Sequence, residues 1–169
     1  SIDAIEAGGS TGLYNGLYLT MRQLTSARRP GLSAFRRQAI VVLSDGEDST
    51  SLLSYVEVLE LANRSETAVY SIGLRSRDES AGSGFREAEY VLRSLAQQTG
   101  GREFFVDDVK DLPAIYQRIA DELANQYSMG YISKNGRRDG SWRRIVVRVD
   151  RSGTTARTKQ GYYGPGGSK

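Results

Sequence analysis

Apolar residues return every three or four positions through Leu13, Tyr14, Leu17, Tyr18, Met21 and Leu24, the spacing that gathers them on one face of an α-helix. Ser10 or Thr11 stands where a side chain can cap its first turn, and Pro30-Gly31 sets its far limit. Upstream, Ile2 and Ile5 give Ser1 to Ala7 the pattern of a helix end, followed by the flexible loop Gly8-Gly9-Ser10-Thr11-Gly12. The pattern then changes: Ile40-Val41-Val42-Leu43 runs without a polar break and stops at Ser44-Asp45-Gly46. An unbroken run bounded by turn residues predicts a strand buried on both faces, as in a parallel sheet.

Beyond it, Asp48-Ser49-Thr50-Ser51 offers caps for a second helix that would turn Leu52, Val56, Leu59 and Ala62 inward. Ala68 to Leu74 reads as the next strand, and Arg75 to Gly84 as a surface loop. Phe85, Ala88, Val91, Leu92 and Leu95 mark a third helix that Gly100-Gly101 stops. Glu103 to Val106 is a short strand, and Asp111 caps a fourth helix with Pro113 in its first turn and Ile115, Ile119 and Leu123 inward. Strands alternating with helices at this spacing predict right-handed crossovers and a parallel sheet.

After Gln126 the period shortens. Tyr127 to Ile132 is strand-like, Asn135-Gly136 and Asp139-Gly140 are turn pairs, and Trp142 to Val149 alternates. In that stretch Ile145, Val147 and Val149 share one face and Arg144, Val146 and Arg148 the other. Ser152-Gly153 turns again, Thr154 to Tyr163 gives a last strand, and a Gly/Pro-rich tail follows. The expectation is an α/β unit over residues 1–126 and an antiparallel β meander over residues 127–169.

Composition narrows the chemistry. The 169 residues are 38% hydrophobic and 25% charged, the balance of a globular chain. No apolar run approaches the roughly 20 residues of a membrane span. No signal peptide is visible, although the sequence does not begin with Met. The absence of Cys removes disulfides and thiolates, and the absence of His removes Ser-His-Asp catalysis and most transition-metal sites. A metal would have to be held by oxygen, which points to Mg²⁺, Mn²⁺ or Ca²⁺. The net charge of +3 divides into +8 over residues 126–169 and −5 before them, so the two parts can attract one another.

Asp45 lies just past the carboxyl end of the Ile40–Leu43 strand, where open α/β sheets bind ligands. The plainer reading makes it a turn or capping carboxylate. Glu47 and Asp48 read as solvated or capping. The glycine loop before Leu13 could cradle a phosphate at a helix N-terminus, but no Gly-Lys-Ser/Thr sequence accompanies it and no strand directly precedes it. Arg137, Arg138, Arg143, Arg144, Arg148, Arg151 and Arg157, with Trp142, Tyr162 and Tyr163 among them, could face nucleic acid. The alternatives are the polar face of a half-exposed sheet, or docking on the acidic α/β part, and nucleic acid is not the expected partner.

Gly8-Gly9-Ser10-Thr11-Gly12-Leu13-Tyr14 opening a helix, and Ile40-Val41-Val42-Leu43-Ser44-Asp45-Gly46 ending a strand, together resemble two of the three segments of the metal-ion-dependent adhesion site of von Willebrand factor type A domains. The downstream order over residues 1–126 is similar too. The Gly-Tyr-Ile, Asp-Gly-Ser-Trp-Arg-Arg and Gly-Tyr-Tyr-Gly-Pro pieces after Tyr127 resemble the tail of a bacterial group of such proteins that are usually exported, which implies an extracytoplasmic setting. The resemblance implies a three-layer α/β/α, doubly wound, Rossmann-like parallel sheet, of which this chain is a part, with a C-terminal antiparallel β extension.

The resemblance also implies a Mg²⁺ or Mn²⁺ ion in the intact domain. Asp45 and Thr11 would contribute to its coordination directly or through water, with Ser10 a weaker candidate. An acidic side chain of a partner protein would complete the octahedron, making the module a non-enzymatic, adhesion-type binder. The sequence departs from the family in lacking the Asp-x-Ser-x-Ser segment that follows the first strand, and the three strands that family members carry before the stretch matching Ser1. Two anchored oxygens are too few to offset dehydration of Mg²⁺, so negligible metal affinity is expected of this chain alone. The Ile40–Leu43 strand becomes an apolar edge open to self-association. The rival readings are a Mg²⁺-dependent phosphoryl-transfer enzyme, for which no second carboxylate pair or phosphate-binding lysine is evident, and a structural assembly module.

Overall fold

The computed structural model describes residues 10–27, 38–45, 47–74 and 82–166. It is mixed α/β, in the order α1 (Leu13–Ser26), β1 (Ala39–Ser44), α2 (Tyr55–Ser65), β2 (Ala68–Leu74), α3 (Gly82–Thr99), β3 (Glu103–Val106), α4 (Leu112–Ala124), β4 (Trp142–Arg144) and β5 (Gly161–Tyr163). The first three strands form a parallel sheet in the order β1-β2-β3, and β4 and β5 form a separate antiparallel pair. Ser1 to Gly9, residues 75–81 of the stretch expected to be a loop, and Pro30-Gly31 lie outside the described residues.

Alternation along the strands divides the core. Ile40 and Val69 turn toward Leu13, Leu17 and Met21 of α1, Val58 and Ala62 of α2, and Val91, Leu92 and Leu95 of α3. On the other face Tyr70, Ile72, Phe104 and Val106 pack on Ile115 and Ile119 of α4. Burial of such aliphatic side chains, at about 25 cal/mol per Å² of apolar surface, is the main force holding the helices to the sheet.

Among the described residues, the strand expected to be buried on both faces is an edge strand. Ile40 is buried, whereas Val41 and Leu43 remain 39% and 42% exposed because α4 covers β2 and β3 instead. The second helix also differs from expectation. A capping box between Ser54 and Glu57 starts it at Tyr55, which leaves Leu52 and Val56 outside at 95% and 68% exposure and turns Val58 and Ala62 inward. The third helix begins at Gly82, inside the stretch expected to be a loop. It ends as expected at Gly100, whose φ of +81° is the left-handed conformation that favours glycine.

The meander is reduced to a ribbon. Among the described residues after α4, Trp142–Arg144 pairs with Gly161–Tyr163, with an isolated bridge between Asp139 and Gly166. Tyr127 to Ile132 has the alternation of a strand but is exposed coil. The segment after α4 returns to the α/β part near the C-terminal ends of α2 and α3. Gln160 N–H donates to Gln98 O at 3.2 Å, Arg64 lies 4.1 Å from the Tyr163 ring centre, and Lys159 approaches Glu66 at 3.8 Å. Arg157 pairs with Glu122, which also faces Arg102 at 3.6 Å and accepts the Tyr70 hydroxyl at 2.9 Å. The basic segment thus meets acidic residues of the α/β part, one of the alternatives its charge left open.

Candidate functional site

Thr11 and Asp45 belong to loops that interlock at the carboxyl end of β1. The backbone N–H groups of Ser49 and Thr50 donate to Thr11 O at 2.9 and 3.2 Å. In return, Thr11 N–H donates to Ser49 Oγ at 3.0 Å. Asp45 opens the loop that carries Ser49 and Thr50, so the sequence-predicted pair is joined through four residues of chain. Ser10 is exposed at the start of the described helix approach.

Asp45 Oδ1 accepts the Glu47 N–H at 3.1 Å and the Ser44 hydroxyl at 3.4 Å. Both contacts are local to the end of the strand, as is common for an aspartate that bonds its own backbone two residues on. Neither Ser10 nor Thr11 caps α1: its N-cap is Gly12, with no capping side chain of its own. The cap comes from the other loop. Asp48 Oδ2 accepts the Tyr14 N–H at 2.7 Å, and Ser51 Oγ accepts the Asn15 N–H at 2.9 Å. Asp48 Oδ1 also accepts the Ser51 N–H at 2.9 Å.

Burial works against the charge of Asp48, but hydrogen bonds from Ser51, Tyr14 and Thr50 outweigh it and hold its carboxyl below the ordinary range. The positive end of α1 favours the same ionised form. Burial, together with the nearby Asp48 and Glu87, pushes the Tyr14 phenol up. Asp48 and Ser51 are the residues the sequence reading placed on the wrong helix. The available signal was Gly12, which has no side chain to cap with, directly before the first helical turn.

As a donor set, the Asp45 carboxylate and the Thr11 hydroxyl amount to two side-chain ligands, against the near-octahedral shell that Mg²⁺ requires. Among the described residues no group of three His, Cys, Asp or Glu side chains is placed to hold a metal. The described residues by themselves therefore do not fit a complete Mg²⁺ or Mn²⁺ site. Alongside the loops, an open groove of about 420 Å³ runs between α1 and β1.

The basic segment is partly self-engaged. Arg143 keeps only 10% of its side chain exposed and donates to Asn135 O at 2.9 Å and to Ser133 Oγ at 3.4 Å. Trp142 meets Tyr163 edge to face, with ring centres 4.9 Å apart. Among the described residues no helix is long and apolar enough to cross a membrane.

No protein-family profile matches the chain, and no curated protein matches it. Among solved structures, the chain is similar to an uncharacterized membrane spanning protein from Vibrio fischeri, with 23% identity and a TM-score of 0.41. The match covers 71% of this chain and 62% of that one.

Proposed function

We propose that the chain is the C-terminal part of a doubly wound, von Willebrand factor type A-like domain and serves as a non-enzymatic protein-binding module. Thr11 and Asp45 contribute to a divalent-cation site at the carboxyl end of the sheet. The rest of the shell comes from outside the described residues and from an acidic side chain of the partner protein. The observation that carries this reading is the interlock of the two loops, with Thr11 gripped by Ser49 and Thr50 on the loop that Asp45 opens. The position of Asp45 directly after β1 and the helices on both faces of the parallel sheet support it further.

Mn²⁺ tests the reading in the chain itself, because a paramagnetic ion reports even weak occupancy. Titration into labelled protein is expected to broaden the amide resonances of Thr11, Gly12 and Ser44 first. Asp45→Ala is expected to abolish that selectivity while leaving the remaining spectrum in place. Broadening spread over the acidic helix surfaces, unchanged by Asp45→Ala, would overturn the reading.

A further inference from the structure

Between Tyr127 and Arg138 the chain carries no acidic residue, and its apolar and basic side chains fall into two halves. Tyr127, Met129 and Ile132 come first, 94%, 75% and 96% exposed. Lys134, Arg137 and Arg138 follow, all exposed. The second half is held from behind by the Arg143 guanidinium, which donates to Ser133 Oγ at 3.4 Å, to Asn135 O at 2.9 Å and to Arg137 O. Asn135 Oδ1 also accepts the Arg137 N–H at 3.1 Å. Tyr131 meets the Tyr162 ring edge to face, with centres 6.2 Å apart.

These contacts fix where the stretch lies. Arg143 and Tyr162 are opposite one another in the ribbon and share one of its faces. Trp142 and Tyr163 share the other face, which meets Arg64 at the end of α2. Residues 131–137 therefore cover the side of the ribbon turned away from α2. The ribbon itself is seated by Gln98 and Glu66, at the C-terminal ends of α3 and α2, where β2 and β3 begin. The three strands are parallel, so the loops of Thr11 and Asp45 lie at the opposite end of the sheet.

We propose that Tyr127 to Arg138 docks the chain peripherally on an anionic phospholipid bilayer. Tyr127, Met129 and Ile132 enter the headgroup boundary, while Lys134, Arg137 and Arg138 remain among the lipid phosphates. A bilayer surface accepts apolar and basic groups side by side, and each cation near an anionic leaflet strengthens attachment about fivefold. Nucleic acid would account for the charge but not for Met129 and Ile132, which have no ring to stack on a base. A protein partner calls for anchors packed into a desolvated patch, whereas Tyr127 and Ile132 project almost entirely into solvent. Because Arg143 and Asn135 already order the basic turn, docking costs little conformational freedom there. Contact at this end leaves the Thr11 and Asp45 loops facing away from the lipid. The inference does not depend on the cation reading.

Co-sedimentation with vesicles tests it, with a chelator present so that no metal bridges protein and lipid. The chain is expected to sediment with phosphatidylcholine vesicles containing about one third phosphatidylglycerol, and not with phosphatidylcholine alone. Binding should weaken about tenfold or more between about 0.1 and 0.5 M salt. Arg137→Gln with Arg138→Gln should cost about tenfold or more, whereas Arg148→Gln with Arg151→Gln, the same charge change outside the stretch, should cost less than about threefold. Ile132→Ser should weaken binding severalfold and keep the salt dependence. Every substituted side chain is exposed, and an unchanged far-ultraviolet spectrum verifies folding. Failure to sediment with the anionic vesicles would overturn the proposal, as would equal sedimentation with both kinds. Equal losses from the two arginine pairs would also overturn it, by reporting diffuse charge, and so would full binding by Ile132→Ser. A single-stranded oligonucleotide bound more tightly than the vesicles, and indifferently to Ile132→Ser, would assign the surface to nucleic acid instead.

Discussion

The carboxylate of Asp48 accepts the backbone N–H of Tyr14 at 2.7 Å, joining residues 34 positions apart. The first turn of α1 is therefore capped by the loop that follows β1, and helix and sheet edge hold each other in place. Asp48→Ala is expected to destabilise the chain by about 1–2 kcal/mol, the range for loss of a helix cap, as read by urea unfolding. The effect has a defined pH dependence. The native carboxyl titrates below its ordinary value of 3.8, so its stabilisation is complete above that value and disappears as pH falls through the lower native one. The stability gap between the two proteins should accordingly close in acid, whereas a gap unchanged down to pH 2 would contradict the assignment.

Much of the α/β frame was legible in the sequence. Met21, Leu92, Leu95, Ile115 and Ile119 are buried where their helical spacing put them, and Gly100 ends α3 in the conformation its position implied. The errors have physical causes. Periodicity alone did not distinguish starting α2 at Leu52 from starting it at Tyr55, because the deciding element was the polar box Ser54/Glu57. Capping of α1 was misplaced because Asp48 reaches it through tertiary contact, whereas sequence rules look for caps next door. Tyr127 to Ile132 alternates like a strand, but alternation does not supply a hydrogen-bonding neighbour. At the candidate site, Asp45 and Thr11 are expectations of the sequence alone, while the Ser49 and Thr50 contacts that link their loops became visible only in the fold.

Glu122 lies on the opposite side of the sheet from α1 and gathers several partners. It receives the hydroxyl of Tyr70, which is fully buried, and faces both Arg157 and Arg102. Burial lowers the Arg157 pKa but leaves it cationic, since guanidinium remains protonated throughout the usual range. Glu122→Ala leaves a buried phenol without its acceptor and two cations without their counter-charge. The expected cost is about 2–3 kcal/mol, with faster tryptic cleavage around Arg148 and Arg151 as the terminal segment loosens. Glu122→Gln keeps the acceptor and should lose less than half as much. Equal losses from the two variants would mean that charge, not hydrogen bonding, dominates.

Gly100 is doubly constrained. Its φ of +81° is costly for any residue with a side chain, and an added Cβ would lie 2.5 Å from the Lys159 nitrogen. Gly100→Ala is thus expected to lose at least about 2 kcal/mol, combining left-handed strain with displaced main chain. Gly100→Asn tolerates the angle but not the approach, so it should recover only part of the loss. Full recovery in thermal unfolding would show that the return of the chain past Gly100 contributes little.

Tyr162 is the titrating group most changed by the terminal segment. Hydrogen bonds from Tyr131, Ser133 and Arg143 favour its phenolate, outweighing desolvation, and lower its pKa from 10.0 to about 8. Tyr131 shifts the opposite way because it donates to Tyr162. Absorbance near 295 nm should show one phenol ionising near pH 8, well before the remaining tyrosines, and Tyr162→Phe should remove that step. The sign for stability follows from the depressed native value. Ionisation favours the folded form increasingly between about pH 8 and 10, is fully expressed above the unfolded value, and is lost as pH falls through the native one. Replacing Arg143 with Met removes a cation and a donor, so the early step should move toward pH 10. If the step survives unchanged in that variant, Arg143 is not what lowers the Tyr162 pKa.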